Sequence, residues 1–282
     1  MKKILLLSVC LFVCWALFAQ QRIKVACVGN SITYGTGLAD RATQSYPVQL
    51  QKLLGEHYEV ENFGKPGATL LNQGHRPYTR QEEYRKALDF AGDIVVIHLG
   101  INDTDPRDWP NYRDSFVTDY LNLMDTFRKA NPDVRIIIAR MTPIADRHNR
   151  FLSGTRDWHG EMQTAIETVA HYAGVQLIDF REPLYPYPFL LPDAVHPTAE
   201  GAAIMAKTVY SAITGDYGGL KLSPLYMDNM VLQRDTPLLI HGTANAGEQV
   251  TVRIDHQQWI TKAALDGKWS VKLSPLKAGG PY

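Results

Sequence analysis

The chain has 282 residues, 45% hydrophobic and 21% charged, with 21 glycines and 16 prolines. That composition excludes disorder, collagen and coiled coil, and the length allows one large domain or two smaller ones with a real core. Basic and acidic residues balance at 29 each, so no global field attracts anionic lipid, and no nucleic-acid partner is expected.

In chain order, Met1-Lys2-Lys3 precedes an apolar run over 4–18 and then Ala19-Gln20-Gln21. A basic start, an apolar stretch short for a bilayer and a small residue at a polar boundary predict a signal peptide at 1–20. The expectation is an exported protein, periplasmic or extracellular, with no stable membrane insertion after cleavage. An uncleaved anchor, or a lipoprotein signal at Cys10 or Cys14, is the weaker reading, since each of those cysteines follows Val and precedes more apolar residues. Of the three cysteines only Cys27 then remains, so no intramolecular disulfide is expected. Cys27 lies in an apolar run ahead of Gly29 and reads as a buried strand thiol. No CxxC, HExxH or similar cluster occurs, so neither a metal nor another cofactor is expected.

From 23 to 213 the pattern alternates. Short apolar or β-branched runs at 23–28, 58–62, 93–99, 134–139 and 175–179 read as strands. Stretches at 45–56, 81–90, 112–130, 158–173 and 198–213 read as helices. In 112–130, Phe116, Tyr120, Leu123 and Phe127 recur at helical spacing, and Asn131-Pro132 closes the segment. Nearly all-apolar strands alternating with helices predict an α/β fold, a three-layer α/β/α sandwich with a five-stranded parallel sheet of the flavodoxin-like kind. Beyond it, Gly215-Asp-Tyr-Gly-Gly219 has linker composition. Strand-like runs follow at 238–241, 249–254, 259–264 and 269–273, with turns at Ala246-Gly247-Glu248 and Asp266-Gly267-Lys268. The predicted domains are an α/β domain at 21–214, a linker at 215–219 and a partial β-sandwich at 220–282.

Sites in such sheets lie beyond the carboxyl ends of the strands. Gly29-Asn30-Ser31 follows the first strand, Asn62-Phe63-Gly64-Lys65-Pro66-Gly67 the second, and Gly100-Ile101-Asn102-Asp103 the third. Asp193-Ala194-Val195-His196-Pro197 precedes the last helix. Ser31 is a weak nucleophile without a base. An imidazole, with a reference pKa of about 6.5, is suited to that task, and His196 is placed for it. Asp193, three residues earlier, can hold the His196 tautomer, completing the composition of a Ser-His-Asp triad. The oxyanion formed on an acyl carbonyl needs donors, which the Ser31 and Gly67 N–H groups and the Asn102 amide can supply. Each residue also has a plainer reading. Ser31 fits a helix cap, Asp193 a cap of the last helix, and His196 a surface residue. Gly64 and Gly67 fit turns, and Asn102-Asp103 a polar loop. His98, inside an apolar strand, reads as a satisfied core histidine, and Gly29 and Gly35 as residues that let the chain turn closely.

These four segments, in this order and strand context, resemble the four blocks of the SGNH hydrolases, also called GDSL-type esterases, over about residues 22–214. The resemblance implies Ser31 as nucleophile, Gly67 and Asn102 as oxyanion donors with the Ser31 N–H, and Asp193 and His196 as the other triad members. The first block departs from the literal Gly-Asp-Ser-Leu, with Asn30 for Asp and Ile32 for Leu. The run 222–235, with Gly267-Lys-Trp-Ser270 and 278–282, resembles the opening β-segment of sialate O-acetylesterases, in which a further esterase domain follows. That implies a chain cut short of such a domain, and a β-segment with unpaired edges.

Together these imply a secreted serine esterase that removes O-acetyl groups from carbohydrates through an acyl-Ser31 intermediate. Its partner would be a small-molecule or glycan ester, with O-acetylated sialic acid the favoured substrate. Acetylated xylan or pectin is a competitor, as is a lysophospholipase or thioesterase activity. A non-catalytic carbohydrate-binding module is the alternative of another class. Trp109, Tyr187 and Phe189 lie in loops near the strand ends, where they are candidates to stack on a sugar or line an acyl pocket, with packing the equal alternative for each.

Overall fold

The structure, a computed structural model, describes residues 21–147, 155–254 and 256–280. The signal peptide expected at 1–20 lies outside the described residues. The chain divides into two compact units, the first ending at Ala206 and the second beginning at Lys207.

The first unit opens with strand β1 (Ile23–Gly29), followed by short helices α1 (Ser31–Tyr34) and α2 (Arg41–Gln44), then α3 (Tyr46–Leu54) and β2 (Tyr58–Gly64). Next come α4 (Glu82–Phe90), β3 (Ile94–His98), α5 (Trp109–Tyr112), α6 (Phe116–Ala130) and β4 (Arg135–Arg140). Last are α7 (Thr155–Ala173), β5 (Gln176–Asp179) and α8 (Ala199–Thr214), which runs on into the second unit. The five strands form one parallel sheet in the order β2-β1-β3-β4-β5. Because the chain moves one way from β1 to β2 and the other way thereafter, right-handed crossovers put α3 on one face and α4, α6 and α7 on the opposite one. The expected three-layer α/β/α architecture is the one present, and no described helix is long and apolar enough to cross a membrane.

The reason lies in the strands. Val25 to Val28 are fully buried, and every residue of β3 is buried, as a central parallel strand covered on both faces requires. Phe116, Tyr120, Leu123 and Phe127 all face the core along α6. The helix expected from 112 starts at Phe116 instead, because Trp109-Pro110 opens a separate short helix and Arg113–Ser115 forms a 3-10 turn between the two. The Cys27 thiol is buried in β1, and burial pushes its pKa up to about 12, which makes it inert as a nucleophile.

His98 is fully buried at the end of β3, packed edge-on to Phe180 at 5.1 Å. The expectation of a satisfied core histidine holds for half of the ring. The Thr142 N–H approaches Nε2 at 3.4 Å, while Nδ1 has no partner among the described residues. Burial, and then the neighbouring His159, hold His98 down to about 3; burial holds His159 down to about 4, against its contact with the Thr142 carbonyl at 3.1 Å. An imidazole whose folded pKa lies below its unfolded value of about 6.5 stabilises the fold above that pH. It loses this contribution as the pH falls, because only the unfolded chain takes up the proton. Asp103, pushed up by burial to about 7 against backbone N–H groups that pull it down, acts in the opposite sense below neutrality. His159→Gln is therefore expected to flatten the fall of stability between about pH 6.5 and 4 by roughly 1.4 kcal/mol per pH unit. Urea melts at several pH values measure this, and a variant that keeps the wild-type slope contradicts the assignment.

The second unit contains β6 (Lys221–Leu222), β7 (Leu238–Thr243) and β10 (Lys268–Leu273) in an antiparallel sheet of order β10-β7-β6, and a hairpin of β8 (Gln249–Ile254) and β9 (Gln257–Lys262). Trp269, Val271 and Leu273 alternate inward along β10 and meet Ile240 and Val250 in a small core. The stretch 215–219 is not a free linker. The Tyr217 and Gly219 N–H groups both donate to Asn245 Oδ1, at 2.9 and 3.1 Å, and the Tyr217 hydroxyl donates to the Leu265 carbonyl at 2.8 Å.

Candidate active site

Strand β1 delivers its chain end into a crowded place. A Cβ added at Gly29 would stand 2.8 Å from Thr33 Cβ and 2.9 Å from the His98 carbonyl, so glycine alone lets α1 fold back against β3. Asn30, fully buried and extended, then accepts the Ile32 N–H on its side-chain oxygen at 2.9 Å. Asn30 is thus the cap of α1, and Ser31, the first helical residue, is released from that role. The Asn at the position where the literal motif has Asp keeps the acceptor that the cap needs.

The long segment after β5 returns to Ser31. His196 Nε2 lies 2.8 Å from Ser31 Oγ, and His196 Nδ1 lies 2.5 Å from Asp193 Oδ2. The other oxygen, Asp193 Oδ1, accepts the His196 N–H at 2.7 Å and the Val195 N–H at 3.0 Å. Burial alone would raise the Asp193 carboxyl, but the hydrogen bonds from His196 and Val195 and the charge of His196 outweigh it and hold the group below its ordinary range. It is an acceptor throughout neutral pH. The tight return requires a left-handed residue between them, and Ala194 occupies it at φ 74°. A non-glycine residue there costs roughly 1–2 kcal/mol. Ala194 is held in place by its N–H to the Leu191 carbonyl and by the Ala145 N–H to its own carbonyl, both at 2.8 Å.

The donors expected around the nucleophile come from the neighbouring strand ends. In register, Gly29 faces Gly64 on β2 and His98 on β3, so Gly67 and Asn102 follow strands that flank the one carrying Ser31. Gly67 has φ +78°, a conformation that favours glycine. Neither its N–H nor that of Ser31 has an acceptor among the described residues. Asn102 Nδ2 donates to the Ala68 carbonyl at 2.9 Å, tying the two loops together and leaving the second amide hydrogen over.

The clasp on this loop was not readable from the sequence. Asp103, fully buried, accepts the Leu70 and Leu71 N–H groups at 2.9 and 2.7 Å, so the residue after Asn102 fixes the path of the chain after Gly67. Asp108 does the same for the end of that loop, taking the His75 N–H at 2.9 Å and its Nδ1 at 2.6 Å. His75, Asp105 and Asp108 bring one ligand atom each within 4.8 Å of one another, but both carboxylates are engaged, Asp108 by His75 and Asp105 by Arg107 at 2.8 Å. In this structure the His75–Asp108 pair acts as a hydrogen-bonded clasp on the end of the loop.

Trp109 is withdrawn from the candidate sugar-stacking residues. It is 3% exposed, its ring packs on Phe116 at 5.4 Å, and its indole N–H donates to Glu161 at 2.8 Å. Its place at the start of a helix, which the sequence read as loop, turned it inward. Tyr187 and Phe189 are 46% and 68% exposed and pack edge to face at 5.9 Å, presenting accessible aromatic surface on the loop that carries the histidine.

A family profile described as GDSL-like lipase/acylhydrolase matches residues 27–204. The acetylxylan esterase of Xylanibacter ruminicola is 33% identical over 215 residues, which are 69% of this chain and 44% of that protein. The chain thus spans less than half the length of this curated relative. Among solved structures, an acetyl xylan esterase superposes with a TM-score of 0.53 at 22% identity, over 68% of this chain and 100% of its own. A carbohydrate acetylesterase family member from Sinorhizobium meliloti gives 0.53 at 20% identity, over 68% and 97%. At these identities the two structures share the fold.

Proposed function

The chain belongs to the GDSL-like lipase/acylhydrolase family, whose members are carboxylic ester hydrolases, and from that premise we propose that it removes O-acetyl groups from carbohydrates through an acetyl-Ser31 intermediate. The observation that carries the reading is the hydrogen-bonded line Ser31–His196–Asp193, at 2.8 and 2.5 Å. Ser31 Oγ attacks the acetyl carbonyl as His196 Nε2 takes its proton, and Asp193 stabilises the imidazolium. The oxyanion is met by the Ser31 and Gly67 N–H groups and the second Asn102 amide hydrogen. Collapse breaks the C–O bond to the sugar, whose oxygen takes the proton from His196. A water, deprotonated by His196, then attacks the acetyl-serine, acetate leaves, and Ser31 regains its hydrogen.

Acetylated xylan is the first substrate in this reading, supported by the likeness to a relative named for that activity. O-acetylated sialic acid is the second, supported by the residues of the run 222–235. In either case the protein acts outside the cytoplasm, as the apolar leader at 4–18 suggests, and requires no metal. Acetate release from acetylated xylan, pectin and sialosides, run beside long-chain acyl esters and with EDTA present, tests the proposal. Acetate release from at least one glycan, exceeding turnover of the long esters and unaffected by EDTA, is expected. Turnover confined to the long-chain esters would assign the site to lipids, and no turnover of any ester would leave a binding module.

A further inference from the structure

The loop that supplies Gly67 also folds a cation back onto it. The segments 67–69 and 76–78 run side by side, with the Thr69 N–H on the Arg76 carbonyl and the Tyr78 N–H on the Thr69 carbonyl, both at 2.9 Å. This lays the Arg76 side chain across Gly67. Arg76 Nη1 donates to the Pro66 carbonyl at 3.1 Å, and a Cβ built on Gly67 would stand 3.2 Å from that nitrogen and 3.4 Å from Arg76 Cδ. With ordinary bond lengths the guanidinium is therefore within about 5 Å of the Gly67 Cα, whose own N–H is the proposed oxyanion donor.

Among the described residues this cation has no carboxylate of its own. The acids on the adjoining loop are taken, Asp108 by His75 and Asp105 by Arg107, and among the described residues no acid pairs with Arg76. Arg76 is exposed to solvent, and among the described residues one of its five N–H groups has a protein acceptor. A planar fork of donors, anchored at one corner and open at the others, matches a carboxylate in two-point contact better than it matches scattered sugar hydroxyls.

We propose that Arg76 is a specificity-determining residue that binds a sugar carboxylate close to the acetylated position, so that the site selects O-acetylated acidic glycans over neutral ones. The proposal rests on the carbohydrate acetylesterase reading above. Two sources present this chemistry, a uronic acid borne on an acetylated xylan and the carboxylate of a sialic acid.

The test uses the full chain and three substrates: an acetylated xylo-oligosaccharide bearing a uronic acid, its neutral counterpart, and an O-acetylated sialoside. For the wild type, kcat/KM on at least one acidic substrate should exceed that on the neutral one, with the advantage shrinking as ionic strength rises. Arg76→Gln should lower the acidic-to-neutral ratio of kcat/KM about tenfold or more, chiefly through KM, and Arg76→Lys should restore part of it. The acidic substrate whose KM responds identifies the source. An equal loss on acidic and neutral substrates would make Arg76 a general support of the Gly67 loop and overturn the proposal. So would a wild type that treats both classes alike while still releasing acetate from glycans. Release of acetate from no glycan at all would overturn the carbohydrate reading itself.

Discussion

Ser31→Ala is expected to lower kcat/KM for acetate release by at least about 10⁴-fold with the melting temperature essentially unchanged. The hydroxyl is the only group that changes. Ser31 is 7% exposed and its Oγ is engaged by His196, while the cap of α1 is made by Asn30. Removing Oγ therefore deletes the nucleophile without deleting a structural contact of any size. His196→Ala should cost as much, and the double variant no more than either alone, because nucleophile and base act as one unit. Activity that survived Ser31→Ala would move the chemistry elsewhere. A variant that lost both activity and fold would show that Ser31 matters for the packing of α1.

Asn102→Ala comes second, with an expected fall in kcat of about 10²–10³-fold, or roughly 3–4 kcal/mol, and a smaller change in KM. The split follows from what the amide does. Its free hydrogen meets charge that exists only after attack, so substrate binding loses little while the barrier rises. The amide also donates to the Ala68 carbonyl, and losing that bond should cost about 1 kcal/mol of stability. A thermal melt measured beside the kinetics separates the two roles. A loss expressed wholly in KM would place Asn102 in ground-state binding. Gly67→Ala is a less clean probe, since a side chain at φ +78° is strained and would press on Arg76 Nη1 at 3.2 Å.

Much of the fold was legible because its signals are local and redundant. A β3 of Ile94–His98 in which every residue is apolar or buried has few other homes than the middle of a parallel sheet. Once the strands were placed, the rule that sites lie at their carboxyl ends brought Ser31, Gly67, Asn102 and His196 to one rim, though they span 165 residues of sequence between Ser31 and His196. The four-residue helices α1 and α2 were not legible, because one turn is too short to show a period of 3.6. The role of Asp103 depends on the path of a loop some thirty residues earlier, and nothing in its neighbours points to Leu70 and Leu71. Trp109 looked like loop, and a helical start turned its ring inward. The stretch 215–219 has the composition of a linker, and only the distant Asn245 side chain, which accepts the Tyr217 and Gly219 N–H groups, shows that it is pinned. Arg76 carries no sequence signal at all, since its meaning comes only from lying across Gly67.

The most direct measurement is an acid quench of the protein during turnover of an acetylated glycan, followed by mass spectrometry of its peptides. The account predicts a single acetyl group on the peptide containing Ser31, accumulating when deacylation is slowed and absent from Ser31→Ala. Acetate released at full rate with no such adduct at any quench time, or an acetyl group carried on another residue, would contradict it.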